Sequence, residues 1–492
     1  MHISAMPLKI ALSEKIVVNF ATTFANSTAN LHPMVMLMPL IVLCAVLIVS
    51  FSPANGLWHP YEAQKKYDPQ CTNTEENFKL KTKLVSQENR DKWKLWSDLV
   101  SQKDLIEGET MYGFEDAMEA IWKHQHPEDC SKVKYLISGG FESGFGSEFH
   151  VIGTGLALAM NMNRVFVMFP DGQNSLMDKM HSNNRFQVDI DFCRKQKKFS
   201  LECYYEPWTQ CTIEDALKGS TLQELRTQGL HLFMKDLVTM KDAPAHAYIA
   251  QLGGSSEVVP IALHNLYACS PFNTGKYRYW WRAVSVAFFM RPNEATRQLL
   301  LQHRQDKEMK FDLNQEQCVS VYVRRGDKHL EMKMIEDEGV FFTAAKDLWT
   351  TLQTSPSKYP TQKRPIMFVG SEDPKVLDSA IAWGTKSEWE VKYSNLFDRH
   401  QVSTRLNATE QEIARKKNAF VHNEWEYFSM VLNIDAHLRC SAFVCTQRSN
   451  FCRVIDELRA TVGHKANKPL ADFSCGTPPP CIDSPHISVD WR

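Results

Sequence analysis

Three textures of apolar and polar positions follow one another along this 492-residue chain. No Asp, Glu, Lys or Arg stands between Lys15 and Glu62, and inside that window residues 31–51 form a largely apolar run. Its 21 positions, at about 1.5 Å of helical rise each, reach about 31 Å, the depth of a bilayer's hydrocarbon core. The run is longer than the apolar stretch of a cleaved signal peptide and starts some way into the chain, so it predicts a membrane anchor. A charged segment comes next, 72–125. Its Phe78, Leu80, Leu84, Trp93, Leu95 and Trp96 are spaced as on a helix without a sustained heptad, which predicts a helical stem but no long coiled coil.

From residue 133 the pattern becomes alternating α/β. Residues 133–137 read as a strand, 138–147 as a glycine-rich loop, 148–162 as a helix and 164–169 as a second strand, which together make a βαβ unit. The same order returns with a strand at 318–323, a helix near 340–353 and a strand at 365–369. A helix from Pro374, a helix over 422–438, a strand at 442–446 and a helix from Ser449 complete it. The expected fold is therefore α/β with two Rossmann-like halves. Residues 193–314, including the aromatic cluster 277–281, fit no single pattern. The boundaries expected are a cytosolic tail (1–30), a transmembrane anchor (31–51), a stem (52–125), an N-terminal Rossmann-like domain (126–314), a C-terminal one (315–465) and a strap (466–492).

Composition narrows the class. Length alone excludes a lone small module. Lys and Arg number 56 against 57 Asp and Glu, and 43% of residues are hydrophobic, which excludes wholesale disorder and a strongly basic nucleic-acid binder. Of thirteen cysteines only Cys44 lies in the apolar run, and the other twelve form no C-x-x-C pair, so disulfides in an oxidising lumen are expected. A type II topology with the bulk of the chain lumenal follows. The sequon at Asn407 would then be usable, and the one at Asn26 would stay unmodified on the cytosolic side.

Four segments carry candidate chemistry. In CVSVYVRRGDK (318–328), alternation puts Val319, Val321 and Val323 on one face and Ser320, Tyr322 and Arg324 on the other, delivering Arg324 at the strand's carboxyl end, where open α/β sheets bind ligands. A guanidinium there suits a phosphate, and the plainer alternative is a surface ion pair with Asp327. In GGFESGFGSEFH (139–150), the glycines between strand and helix offer backbone amides to an anion or merely shape a turn. Neither a Walker motif nor a dinucleotide fingerprint is present. Asp435 shares a helix face with Phe428, Val431 and Leu432, so it needs a partner, either a nucleotide base or a buried Arg. In CTQRSNFCR (445–453), a loop with hydroxyls precedes a helix N-terminus at Ser449.

Taken together, these segments resemble the alpha-1,6-fucosyltransferases of N-glycan processing and their bacterial nodulation relatives. QHPEDCSK (125–132), Gly144 and Gly146 with His150, VRRGDK (323–328), SEDP (371–374) and the 444–453 segment occur in that family's order, over about residues 121–211 and 318–461. The resemblance implies a GT-B-like fold and a GDP-fucose donor bound in the C-terminal half. It further implies inversion at the fucose carbon without a metal or other cofactor. It assigns the diphosphate to Arg324, loop and sugar contacts to Arg325 and Asp327, and leaving-group charge to Lys328. Phosphate falls to Ser449, the nucleoside to Ser371 and Asp373, and guanine to Asp435, with a two-residue gap in register. Gly144, Gly146, His150 and Tyr322 fall among its substrate-binding positions. It also implies Cys445–Cys452 and Cys130–Cys211 disulfides. The chain departs from the family at Tyr322, where His is usual, and at Met332, where an acid is usual, with Glu331 one position earlier as the candidate base. An SH3 domain and a long coiled-coil stem are missing.

The leading expectation is a Golgi, single-pass type II fucosyltransferase acting on a glycan or glycoprotein hydroxyl, with no nucleic-acid partner and with homodimerisation left open. Two alternatives compete with it. One is a non-catalytic sugar-nucleotide or glycan binder of the same fold, permitted by Tyr322 and Met332. The other is a metal-dependent GT-A transferase using Asp189 and Asp191 as a D-x-D clamp, although NNRFQ (183–187) before it is no buried strand.

Overall fold

The computed structural model describes residues 81–96, 109–139, 144–168, 190–196, 201–240, 243–252, 258–268, 277–306, 317–325, 335–354, 364–394, 426–474 and 481–483. The chain divides into two compact units, Met1–Leu57 and Trp58–Arg492, and every described residue belongs to the second. The apolar run 31–51 and both sequons lie outside the described residues. Among the described residues no helix is long and apolar enough to cross a membrane.

Two sheets organise this unit. The first contains β1 (Tyr135–Ser138), β2 (Val165–Met168), β3 (His231–Phe233) and β4 (Ala247–Gln251), all parallel, in the order β2-β1-β4-β3. The second contains β5 (Cys318–Tyr322), β6 (Ile366–Gly370), β7 (Glu390–Lys392), β8 (Ala442–Cys445), β9 (Leu470–Asp472) and β10 (Cys481–Asp483). Its order is β10-β9-β8-β5-β6-β7, and only β10 is antiparallel to its neighbour. Strands β1, β2, β5, β6 and β8 are buried at every position, which is why they read as short continuous apolar runs.

Among the described residues the helices of seven or more residues are α1 (Gln87–Trp93), α2 (Phe114–Gln125), α3 (Phe145–Asn161), α4 (Tyr277–Phe289), α5 (Glu294–His303), α6 (Gly339–Thr354), α7 (Pro374–Ser387), α8 (Glu426–Arg439) and α9 (Asn450–Ala460). Helices α3, α4 and α9 pack on one another, and the largest core runs through them from the first sheet to the second. The strand alternation explains the layering. Val319, Val321 and Val323 of the β5 segment bury with α6 and α7 in an outer core, whereas Cys318 and Tyr322 face the shared one.

Three expectations change. Where a stem was expected, Trp93, Trp96, Phe114, Met118 and Ile121 are fully buried, so the described parts of this segment, 81–96 and 109–125, contribute to the core. The expected C-terminal strap supplies β9 and β10, two strands of the second sheet. The unassigned stretch holds β3, β4, α4 and α5.

Disulfides join Cys130 to Cys211, Cys193 to Cys203 and Cys318 to Cys440. The first pair is one of the two the resemblance implied. Cys445 and Cys452 instead stand as buried thiols. The end of β8 and the first turn of α9 bring them into hydrogen-bond contact, and burial pushes the Cys445 thiol well up. In that enclosed place they pack as small apolar groups.

Candidate functional site

The second sheet reverses its direction of growth between β5 and β8. From β5 the chain proceeds through β6 to β7 on one side, then returns to lay β8 and β9 on the other. Loops leaving the carboxyl ends of β5 and β8 therefore diverge, the arrangement that opens a crevice for ligands in such sheets. Arg324 and Arg325 follow β5, and residues 446–449 lead from β8 into α9.

Three donors of the β5 segment meet one carboxylate. Arg324 Nη1 donates to Glu372 Oε1 at 2.6 Å, the backbone N–H of Arg325 donates to the same oxygen at 2.6 Å, and the Tyr322 hydroxyl donates to Oε2 at 3.1 Å. Burial, then Glu372, pushes the Tyr322 phenol well above its usual pKa, so it remains a donor. The Arg325 side chain turns away and donates to Glu338 Oε1 at 3.0 Å and to the Glu336 carbonyl at 3.3 Å, tying the loop to the approach to α6. These bonds anchor the loop at the residue where a sugar contact was expected.

Ser371 and Asp373, expected at the nucleoside, shape the turn after β6. The Ser371 hydroxyl donates to the Val323 carbonyl at 2.8 Å and accepts from the Asp373 N–H at 3.1 Å. Asp373 is the N-cap of α7, accepting from the Lys375 N–H at 2.9 Å with Pro374 in the first turn. Glu372 between them is the residue that sequence reasoning missed. The signal was available: an Asp before Pro at a helix start identifies the capping residue, which leaves its neighbour for other work.

The glycine loop is packed shut on its helical side. A Cβ at Gly146 would lie 2.3 Å from the Asn450 carbonyl oxygen and 2.8 Å from the Phe451 nitrogen, so glycine serves the close backbone approach of α3 to α9. Asn450 Nδ2 donates to the Ser147 hydroxyl across this contact. Gly144 is the N-cap of α3 and makes no side-chain cap. His150 is buried, and its Nε2 lies 2.8 Å from Glu457 Oε2, with desolvation lowering the imidazole pKa. Gly146 and His150, expected among the substrate-binding positions, make these packing contacts in the structure. Beside them the Tyr279 hydroxyl donates to Asp456 Oδ2 at 2.7 Å, and burial raises the Asp456 carboxyl to about 7.

Asp435 resolves to its second alternative. Arg304 donates to both its oxygens, Nε to Oδ2 at 2.9 Å and Nη2 to Oδ1 at 2.7 Å, and Trp96 Nε1 adds a bond of 3.2 Å. A fully buried carboxylate held this way forms an ion pair within the fold, at the residue where the resemblance implied a guanine contact. Ser449, N-cap of α9, is buried beside the crevice without capping its helix through its side chain. Asp327, Lys328, Glu331 and Met332 lie outside the described residues, as does Asp189. Asp191 falls within the short helix Ile190–Lys195. Among the described residues no cluster of three His, Cys, Asp or Glu side chains is placed to hold a metal ion.

No model of a known protein family matches the chain, and no curated protein matches its sequence. Solved structures similar to it include fucosyltransferases. NodZ alpha-1,6-fucosyltransferase co-crystallised with GDP, an enzyme of Bradyrhizobium, is 10% identical over 72% of this chain and 99% of its own, with a TM-score of 0.37. For FUT1 of Arabidopsis thaliana in complex with GDP the values are 10%, 80%, 82% and 0.40. For POFUT1 in complex with GDP they are 10%, 69%, 98% and 0.36.

Proposed function

We propose that the chain is a fucosyltransferase of alpha-1,6 type that moves L-fucose from GDP-fucose to a glycan or glycoprotein hydroxyl with inversion. The observation that carries this reading is Arg324, a guanidinium at the carboxyl end of the strand beside the sheet's switch point, in the VRRGDK segment, whose resemblance to GDP-fucose enzymes is specific. As the diphosphate departs, Arg324 and Lys328 stabilise its growing charge, and Glu331 takes the acceptor's proton. The fucose centre passes through an oxocarbenium-like state, as glycosyl centres do. Cationic side chains in this role reduce the need for Mg²⁺ or Mn²⁺. The N-terminal half faces the acceptor. Residues 31–51 anchor the chain in the Golgi membrane with its bulk in the lumen, a placement supported by the twelve downstream cysteines.

The test is a transfer assay with the detergent-solubilised full chain, GDP-fucose and a panel of N-glycans, with and without EDTA. Fucosylated product of inverted configuration at an undiminished rate in EDTA is expected. A folded protein that neither transfers fucose nor hydrolyses GDP-fucose contradicts the reading, and activity restored only by Mn²⁺ points to a metal-dependent mechanism instead.

A further inference from the structure

The ends of β5 and β6 are stitched together residue by residue. Tyr322 pairs with Gly370 in the ladder, the Val323 N–H donates to the Gly370 carbonyl at 3.0 Å, and the Ser371 hydroxyl returns a bond to the Val323 carbonyl at 2.8 Å. These contacts fix two backbones but leave the Arg324 side chain undirected. Glu372 is the next residue in the series, and its carboxylate reaches both the guanidinium and the loop that carries it.

From this geometry, and resting on the donor-site reading above, we infer that Glu372 is a positioning residue that presents Arg324 to the donor's diphosphate, with Tyr322 holding the carboxylate in place. Oε1 binds Arg324 Nη1 and the Arg325 N–H together, so the guanidinium is set relative to its own backbone. Oε2 is taken by the Tyr322 hydroxyl, which stops the carboxylate from rotating about its stem. Two oxygens with three donors define one orientation. A single oxygen bound to a single long side chain would leave it mobile, as most surface ion pairs are. The pair is not sealed, since about a quarter of the Arg324 side chain and 29% of that of Glu372 remain exposed at the crevice. Among the described residues the charges facing Tyr322 are those of Glu372 and Arg324. Its other close polar neighbours are Cys452 and the ring of His437, which burial keeps neutral.

The experiment is a calorimetric titration of the full chain with GDP, using the parent, Arg324→Ala, Glu372→Gln, Tyr322→Phe and the Arg324→Ala/Glu372→Gln double variant. Melting curves establish that each is folded. Glu372→Gln should weaken GDP binding roughly tenfold, because the guanidinium loses its orientation while the side-chain shape is kept. Tyr322→Phe should cost about threefold, the effect of one neutral hydrogen bond. The double variant should bind no more weakly than Arg324→Ala alone, since a residue that works through Arg324 has nothing left to position. A merely structural Glu372 would instead give losses that multiply, and that result overturns the inference. So does a folded Glu372→Gln that binds GDP like the parent. If Glu372→Gln fails to fold, Glu372→Asp and Tyr322→Phe carry the same cycle with Arg324→Ala. A folded parent that binds no GDP overturns the donor-site reading itself and the positioning role with it, whereas GDP binding lost only in the Arg324 variant sinks the positioning role alone.

Discussion

The loop after β1 and the loop after β5 share one local grammar, a buried parallel strand running into a polar turn at the carboxyl edge of a sheet, yet the molecule uses them oppositely. After β1, Gly146 lets the α3 backbone press against Asn450, and the polar side chains that follow are spent inside the protein, His150 on Glu457. After β5, Arg324 stays partly open and is directed by Glu372 at the point where the sheet's strand order reverses. The difference teaches that glycine at a strand end reports close approach of a backbone and leaves open what approaches. In the β1 loop it is another helix. An arginine delivered by strand alternation beside a switch point is the stronger sign of a ligand.

Breaking the two loops should give different kinds of damage. The largest effect expected is from Arg324→Ala, which should lower the transfer rate roughly a hundred- to a thousandfold, about 3 to 4 kcal/mol of transition-state stabilisation, with the melting temperature little changed. Arg324→Lys should rescue little, since an ammonium lacks the planar fork. Steady-state kinetics on folded protein checks both. Gly146→Ala should do the reverse. The added methyl meets backbone atoms that cannot rotate away, so stability should fall by about 1 to 3 kcal/mol in denaturant melts while GDP affinity per folded molecule is retained. If Gly146→Ala abolishes GDP binding in folded protein, the division between the loops is wrong.

A smaller effect sharpens the comparison through pH. Desolvation raises Asp456 from 3.8 to about 7, so the folded state keeps a proton that the unfolded chain releases. Its contribution is fully present below about pH 4 and is lost as pH rises through about 7. Asp456→Asn keeps an acceptor for Tyr279 and removes the titration. The variant's melting temperature should therefore gain on the parent's from pH 4 to pH 7 and then level off. His150 works in the opposite direction. Its lowered pKa means stability is lost as pH falls below about 6.5, in parent and variant alike. A gain that grows as pH falls would contradict the burial account of Asp456. Smallest of all, Cys445 and Cys452 should resist alkylation until the protein unfolds, whereas peptide mapping should recover Cys130 linked to Cys211.

Period and alternation made much of this fold legible. Val319, Val321 and Val323 face one core and Tyr322 the other because side-chain direction in a strand follows from position alone. Helix α7 was readable from Asp373 and Pro374 for an equally local reason. What could not be read depends on partners distant in sequence. Trp96 belongs to the core because Asp435, 339 residues later, accepts its N–H, and nothing near either residue says so. Asp435 itself shows the limit: its apolar helical face announced that a partner was required, but whether that partner was a base or Arg304 depended on where α5 lies. Gly146 was visible as a glycine, and its neighbour Asn450 was not.

Hydrogen–deuterium exchange with and without GDP asks the central question directly, because it reports each loop separately. The account predicts new protection in peptides covering residues 322–325 and 371–373 on adding GDP, and no change over 144–150, most of which is already buried. Protection confined to 144–150, with the β5 and β6 edges unaffected, would contradict it and move the donor site to the glycine loop.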